Sequence, residues 1–178
     1  MRAREAPGQS NDDKGVRQHI ISVLVENRVG VLARVAGLFT GRGFNIESLA
    51  VAETEDPTLS RMTIVTAGDA RITEQVTKQL NKLIDVIKVV DLSGEHFVER
   101  ELVLVKVRAE PEQRAELLRI TDIFRGNIID VSPKAYVIEV TGDADKIRAF
   151  IDLVKPIGIL EIGRSGPVAL SRGNKAIS

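Results

Sequence analysis

Residues 27–46, NRVGVLARVAGLFTGRGFNI, hold the side chains best suited to chemistry on a small molecule. The turn Glu26-Asn27-Arg28-Val29-Gly30-Val31-Leu32 leads from an apolar run into a helix-periodic one. A helix N-terminus offers unpaired backbone N–H groups and a partial positive charge, which suits a carboxylate. Gly30 has no side chain, so a ligand can come close to its backbone. Asn27 carries both a donor and an acceptor and can answer an ammonium and a carboxylate together, as an amino acid presents them. Asn45 offers the same pair of functions from the start of the next strand, and Val31, Leu32 and Ile46 can enclose an aliphatic side chain. A plainer reading exists for the same residues: Asn27 as a helix cap, Gly30 as a loop residue and Asn45 as a turn residue. On spacing alone the plainer reading leads.

Signatures of catalysis are sparse. There is no Walker sequence, GxSxG, HExxH, or GxGxxG after a strand, and Gly41-Arg42-Gly43 closes a helix rather than opening one. Glu53, Glu55 and Asp56 lie in a polar loop, where solvation is a better account than acid–base pairing. His19 and His96, the only histidines, have no ligand-spaced neighbours, and with no cysteine a thiolate metal site or a disulfide is excluded. They read as structural or surface residues.

The elements that must position the turn follow from apolar periodicity. Residues 18–26 read as a strand covered on both faces. Leu32, Val35, Ala36 and Phe39 then follow helical spacing, ended by Gly41 and Gly43. Strands at 45–53 and 59–66 flank the polar loop that holds Pro57, a helix covers 70–83 through Ile72, Val76, Leu80 and Leu83, and a fourth strand runs over 85–92. The order β-α-β-β-α-β then repeats. A strand at 99–108 precedes a helix opened by Pro111, carrying Ala115 and Leu118 and ended by Gly126. Strands at 128–131 and 135–141 follow, and Asp143 caps a helix with Ile147, Phe150, Ile151 and Val154 that Pro156 and Gly158 terminate. A last strand covers 157–162.

The expected fold is therefore α+β, two ferredoxin-like βαββαβ domains in tandem. The boundaries are a flexible tail over 1–17, a first domain over 18–93, a linker at 94–98, a second domain over 99–174 and a short tail at 175–178. Each sheet has one face with no helix to cover it, so another sheet or subunit should do so, and a homodimer or larger assembly is expected.

Lys plus Arg and Asp plus Glu both number 25, so no long-range field draws the chain to nucleic acid or an anionic membrane. An RRM-like RNA-binding module would share this fold. It stacks bases on aromatic residues of central strands, and here 18–26 and 59–66 have no Phe, Tyr or Trp. An acylphosphatase-like hydrolase could use Arg28 and Asn45 but would lack a glycine-rich cradle and leave the second domain unexplained. No run of about 18 apolar residues occurs, and the first residues lack a signal peptide's apolar stretch, so a cytoplasmic protein is expected.

The stretch ENRVGVLARVAGLFTGRGFNIESLAVAETEDPTLSRMTIV resembles the ACT domain of the regulatory (small) subunit of acetohydroxyacid synthase, also called acetolactate synthase. The resemblance continues through LVLVKV, RITDIFRGNIIDVSP and RSGPVALSRG, covering about residues 18–174. It implies a non-catalytic regulatory subunit that activates a catalytic large subunit and confers feedback inhibition by valine, or another branched-chain amino acid. That large subunit is expected to hold thiamine diphosphate, Mg²⁺ and FAD, and this chain none of them. The resemblance also implies a valine site at an ACT–ACT dimer interface, with Asn27, Gly30, Val31 and Leu32 from one chain and Asn45 and Ile46 from its neighbour. The loop over 53–61 is the favoured contact with the large subunit. An ACT-type amino-acid sensor for another enzyme is the alternative.

Overall fold

A computed structural model describes residues 17–177, so residues 1–16 of the expected tail, and Ser178, lie outside the described residues. The first unit comprises β1 (Arg17–Glu26), α1 (Val31–Gly41), β2 (Ser48–Glu53), β3 (Leu59–Gly68), α2 (Ala70–Leu80) and β4 (Val86–Asp91). Its antiparallel sheet has the order β2-β3-β1-β4. The second unit comprises β5 (Phe97–Arg108), a 3-10 turn at Pro111–Gln113, α3 (Arg114–Ile123), β6 (Asn127–Val131), β7 (Ala135–Gly142), α4 (Ala144–Gly158) and β8 (Ile159–Arg164), in the order β6-β7-β5-β8. Both units are βαββαβ, and the tandem ferredoxin-like fold is the one observed.

Each unit has its own core between sheet and helices. In the first, Ile21, Val23 and Val25 of β1 meet Val35 and Phe39 of α1 and Val76 and Leu80 of α2. In the second, Val103, Val105 and Val107 of β5 meet Leu117 and Ile120 of α3 and Ile147, Phe150 and Val154 of α4. Phe39–Phe44 and Phe124–Phe150 pack edge to face in the two cores, a favoured geometry for aromatic rings.

Three local expectations are corrected. Helix α1 buries Val31, Val35 and Phe39, whereas Leu32 is exposed. Helix α3 buries Leu117, Ile120 and Thr121 rather than Ala115 and Leu118. Helix α4 runs through Pro156 and ends at Gly158, so the last strand opens at Ile159 rather than at 157. A strand that sequence periodicity did not mark, β9 (Val168–Ser171), pairs with residues 97–100 of β5.

Strand β9 explains how the helix-free face of the first sheet is covered. Ile20, Val65 and Leu92 on that face pack with Ala169 of β9 and Phe97 of β5. The chain then continues across the face. Arg61 Nη2 donates to the Ile177 carbonyl at 3.1 Å and Arg61 Nη1 to Ser22 Oγ at 3.3 Å, while Lys175 Nζ pairs with Glu95 at 2.8 Å. Ile177 is buried. The cover is thus supplied within the chain, by the β5–β9 ribbon and the segment after it.

Removing residues 174–178 should lower the free energy of unfolding by about 1–3 kcal/mol, the scale of exposing one isoleucine and part of its seat. Urea denaturation reads this directly, and an unchanged midpoint would show that the segment does not cover the sheet in solution.

Candidate functional site

The turn between β1 and α1 is held from both sides. Glu26 N–H donates to the Asp85 carbonyl at 2.9 Å and Asn27 N–H to the Thr58 carbonyl at 2.7 Å, tying the turn to the loops before β4 and β3. Gly30 then adopts φ +86°, a left-handed conformation that an L side chain disfavours. It is the residue before α1 and, having no side chain, caps nothing. The first intrahelical bond runs from Arg34 N–H to the Gly30 carbonyl at 3.0 Å, so the N–H groups of Leu32 and Ala33 precede any helical acceptor. Helices α2 and α4 differ, since Asp69 accepts from Ile72 N–H and Asp143 from Lys146 N–H.

The Asn27 side chain is not a helix cap. Its Nδ2 donates to Glu53 Oε1 at 3.0 Å and to the Pro57 carbonyl at 2.9 Å, so it braces the β2–β3 loop. Its Oδ1 accepts no hydrogen bond among the described residues, and the residue is exposed. The loop has further order of its own. Asp56 accepts from the Thr58 hydroxyl at 2.7 Å and the Thr58 N–H at 2.8 Å, and these donors hold its carboxyl below the usual carboxylate range. Thr54 Oγ1 donates to the Asp56 carbonyl.

Val31 is buried beneath the turn, while Leu32 and the fully exposed Val29 face outward. Ile84, next to Asp85, is also almost wholly exposed, which puts two branched apolar side chains on adjacent turns. Arg34 Nε donates to Asp85 Oδ2 at 2.7 Å, where Asp85 is nearly buried, and this charged bond fixes α1 against the turn before β4.

Asn45 and Ile46 lie elsewhere. Thr66 Oγ1 donates to the Asn45 carbonyl at 2.7 Å, placing Asn45 level with Thr66 of β3, whereas Asn27 is level with Thr58. Eight residues of extended strand separate those levels, about 26 Å at the usual rise per residue. The structure therefore brings Asn27, Gly30, Val31 and Leu32 together and leaves Asn45 and Ile46 at the far end of the same sheet. Asn45 is exposed, and Ile46 is half-buried against the first core. One chain alone cannot close a pocket between the two asparagines.

Sequence reasoning missed the partners of Asn27. Glu53 and Pro57 are 26 and 30 residues away, and only the strand register reveals them. His19 has a simpler place than a ligand: it is buried, with Nδ1 3.7 Å from Asp91 Oδ2. No group of three or more His, Cys, Asp or Glu side chains able to hold a metal occurs among the described residues. Nor is any described helix long and apolar enough to cross a membrane.

Comparison with known proteins accounts for both units. Residues 21–88 match the family described as the AHAS small subunit-like ACT domain, and residues 100–173 match that described as the small subunit of acetolactate synthase. An Archaeoglobus fulgidus protein described as a "Probable acetolactate synthase small subunit" is 60% identical over 158 residues, 89% of this chain and 99% of that protein. The acetolactate synthase small subunit of Haemophilus influenzae is 56% identical over 161 residues, 90% of this chain and 99% of that one. The crystal structure of the acetolactate synthase small subunit from Thermotoga maritima superposes with a TM-score of 0.81 at 46% identity, covering 89% of this chain and 99% of that chain.

Two glycines of the α1 region should respond oppositely to alanine. Gly30→Ala should destabilise by about 1–2 kcal/mol through its left-handed backbone, the added Cβ also coming within 3.3 Å of the Arg34 guanidinium that Asp85 holds. Gly37→Ala, inside α1 with nothing within 4 Å of the added Cβ, should stabilise by roughly 0.5–1 kcal/mol. Urea midpoints of the two variants check the sign of each change.

Proposed function

We propose that this chain, which belongs to the family of acetolactate synthase small subunits, activates a catalytic large subunit and makes it sensitive to valine. The chain supplies no catalytic group in this reading. The large subunit carries the chemistry, with thiamine diphosphate, Mg²⁺ and FAD, and the small subunit acts as effector sensor and activator.

The observation that carries the reading is the uncapped glycine turn joined to an asparagine with an unused acceptor. The ligand's carboxylate is received by the free N–H groups of Leu32 and Ala33, at the positive end of α1. Its ammonium donates to Asn27 Oδ1, and its isopropyl group lies on Leu32, above the buried Val31. Because Asn45 and Ile46 sit about 26 Å away in the same chain, a second copy brings them to the turn. Two chains related by a two-fold axis then build two equivalent sites, each from two half-sites.

Linkage supplies the regulation. Valine shifts the assembly only as far as it binds one arrangement better than another, and about 1–3 kcal/mol of such preference gives a roughly 5–150-fold effect. The loop over 53–61 is the reporter in this scheme. Asn27 Nδ2 holds the loop through Glu53 and Pro57, so a ligand that re-orients Asn27 changes what the loop presents to the large subunit.

Valine should raise the melting temperature of the purified chain, as any ligand that binds only the folded state does. Asn27→Ala and Asn45→Ala should each abolish that shift and the inhibition of the reconstituted enzyme by valine, while activation of the large subunit stays within about twofold. That tolerance corresponds to less than 0.5 kcal/mol. Loss of activation together with inhibition would point to damage of the fold and count against a dedicated effector site. Sedimentation should show a dimer or larger species, and a monomer at micromolar concentration would contradict the shared site.

A further inference from the structure

A cleft of about 530 Å³ lies where the two units meet, on the side of the first sheet that faces the second unit. Its size is that of a small-molecule site. Gln18, Ile20, Glu47, Ser48 and Val65 form one wall, and residues of β5, β7, α4, the end of β8 and the stretch after it form the other. None of Asn27, Gly30, Asn45 and Ile46 lines it.

The second wall carries both signs of charge in fixed positions. Glu101 is 5% exposed and accepts from Arg164 Nε at 2.8 Å and Nη2 at 2.7 Å. This bidentate pair holds the guanidinium rigid and pushes its pKa up, while Arg164 Nη1 donates to nothing among the described residues. Glu99 precedes Glu101 by two residues on the same face of β5, a separation of about 7 Å. It receives only the Ala144 N–H, at 3.5 Å. Burial pushes the Glu99 carboxyl up; the Ala144 N–H opposes that, and Asp143, Asp145 and Glu101 add repulsion. On the opposite wall Glu47 is already engaged, accepting from Gln18 Nε2 at 2.7 Å.

An under-satisfied carboxylate and a guanidinium with a free edge therefore line the same cleft, and an α-amino acid carries the two complementary charges. We propose that the cleft binds a small aliphatic α-amino acid, its ammonium on Glu99, its carboxylate on Arg164 Nη1 and its side chain against Ile20, Val65 and Pro167. Three carboxylates against one guanidinium exclude a simple anion. A simple amine would leave the Arg164 edge unused. Gly166, at φ +73°, closes the rim so tightly on Ser48 that an added Cβ would strike Ser48 Oγ, so the ligand is gripped by both units at once.

This site stands apart from the Asn27 turn and does not depend on the reading of that turn. The test follows backbone amide shifts of the ¹⁵N-labelled full chain during titration with L-leucine, with isopentylamine and 4-methylpentanoate as the analogues lacking one charge each. Saturable shifts are expected at Ala144 and Gly166, in the wild type and equally in Asn27→Ala. Each analogue should bind at least tenfold more weakly than leucine. Glu99→Gln should weaken leucine at least tenfold at Ala144 and Gly166 with an unchanged or higher melting temperature, because it removes repulsion from Asp143 and Asp145. Shifts confined to Gly30 and Leu32, an analogue that matches leucine, or wild-type affinity in Glu99→Gln would each overturn the assignment.

Discussion

Ten consecutive pairs between β1 and β3, from Arg17↔Gly68 to Glu26↔Leu59, determine where everything else in the first unit lies. Strand β1 also pairs with β4, so it is hydrogen-bonded on both edges and apolar on both faces. A shift of one residue would turn Ile21, Val23 and Val25 away from the helices, so the register has no near competitor. From that register follow the closeness of the Asn27 turn to the β2–β3 loop and its distance from Asn45. The separation of the two asparagines is thus a property of strand pairing, and no side-chain adjustment can remove it.

The same kind of constraint joins the units. Strand β5 is twelve residues long and belongs to two ladders in succession, pairing with β9 through residues 97–100 and then lying between β7 and β8 through residues 101–108. Its first part leaves the second sheet and carries Phe97 onto the first. Backbone pairing, the Ile20–Val65–Leu92–Ala169 cluster and Arg61 then act on one surface. A cleft bounded by both units and lined by β5 is a direct consequence of one strand being shared in this way.

The order of elements was legible because each strand and helix carries its apolar period locally. The phase of two helices was not. Helix α1 has apolar residues at 31, 32, 33, 35, 36, 38 and 39, nearly all round, so tertiary packing rather than pattern decides that Val31 goes in and Leu32 out. In α3 the apolar set at 115, 117, 118, 120 and 123 admits two stripes for the same reason. The tetrapeptide VALS is too short to signal a strand, and becomes one because β5 extends back to Phe97 to meet it. At the candidate site the turn was visible, since a glycine before a helix that opens without a capping side chain is a local feature. The bracing of Asn27 by Glu53 and Pro57, and the clasp of Glu101 on Arg164 from 63 residues away, are long-range facts that no spacing contains.

The strength of these bonds limits how an effector could act through the turn. The Asn27–Glu53 and Asn27–Pro57 bonds are exposed, and a typical hydrogen bond contributes a net 0.5–1.5 kcal/mol or so. A ligand that re-oriented Asn27 would therefore exchange them at close to no net cost. The exchange cannot by itself supply a coupling of about 1–3 kcal/mol, because bonds of similar strength are lost and gained. The remainder must come from surface that changes its burial, at about 25 cal/mol per Å² of apolar area. Around this turn the exposed apolar surface is Val29, Leu32 and Ile84, on loops held together by the Glu26–Asp85 and Arg34–Asp85 bonds. Covering about 80 Å² of it in one arrangement and not in the other would provide about 2 kcal/mol. The polar groups of the turn would then choose the ligand, and the bare apolar side chains beside them would set how strongly its binding is felt elsewhere.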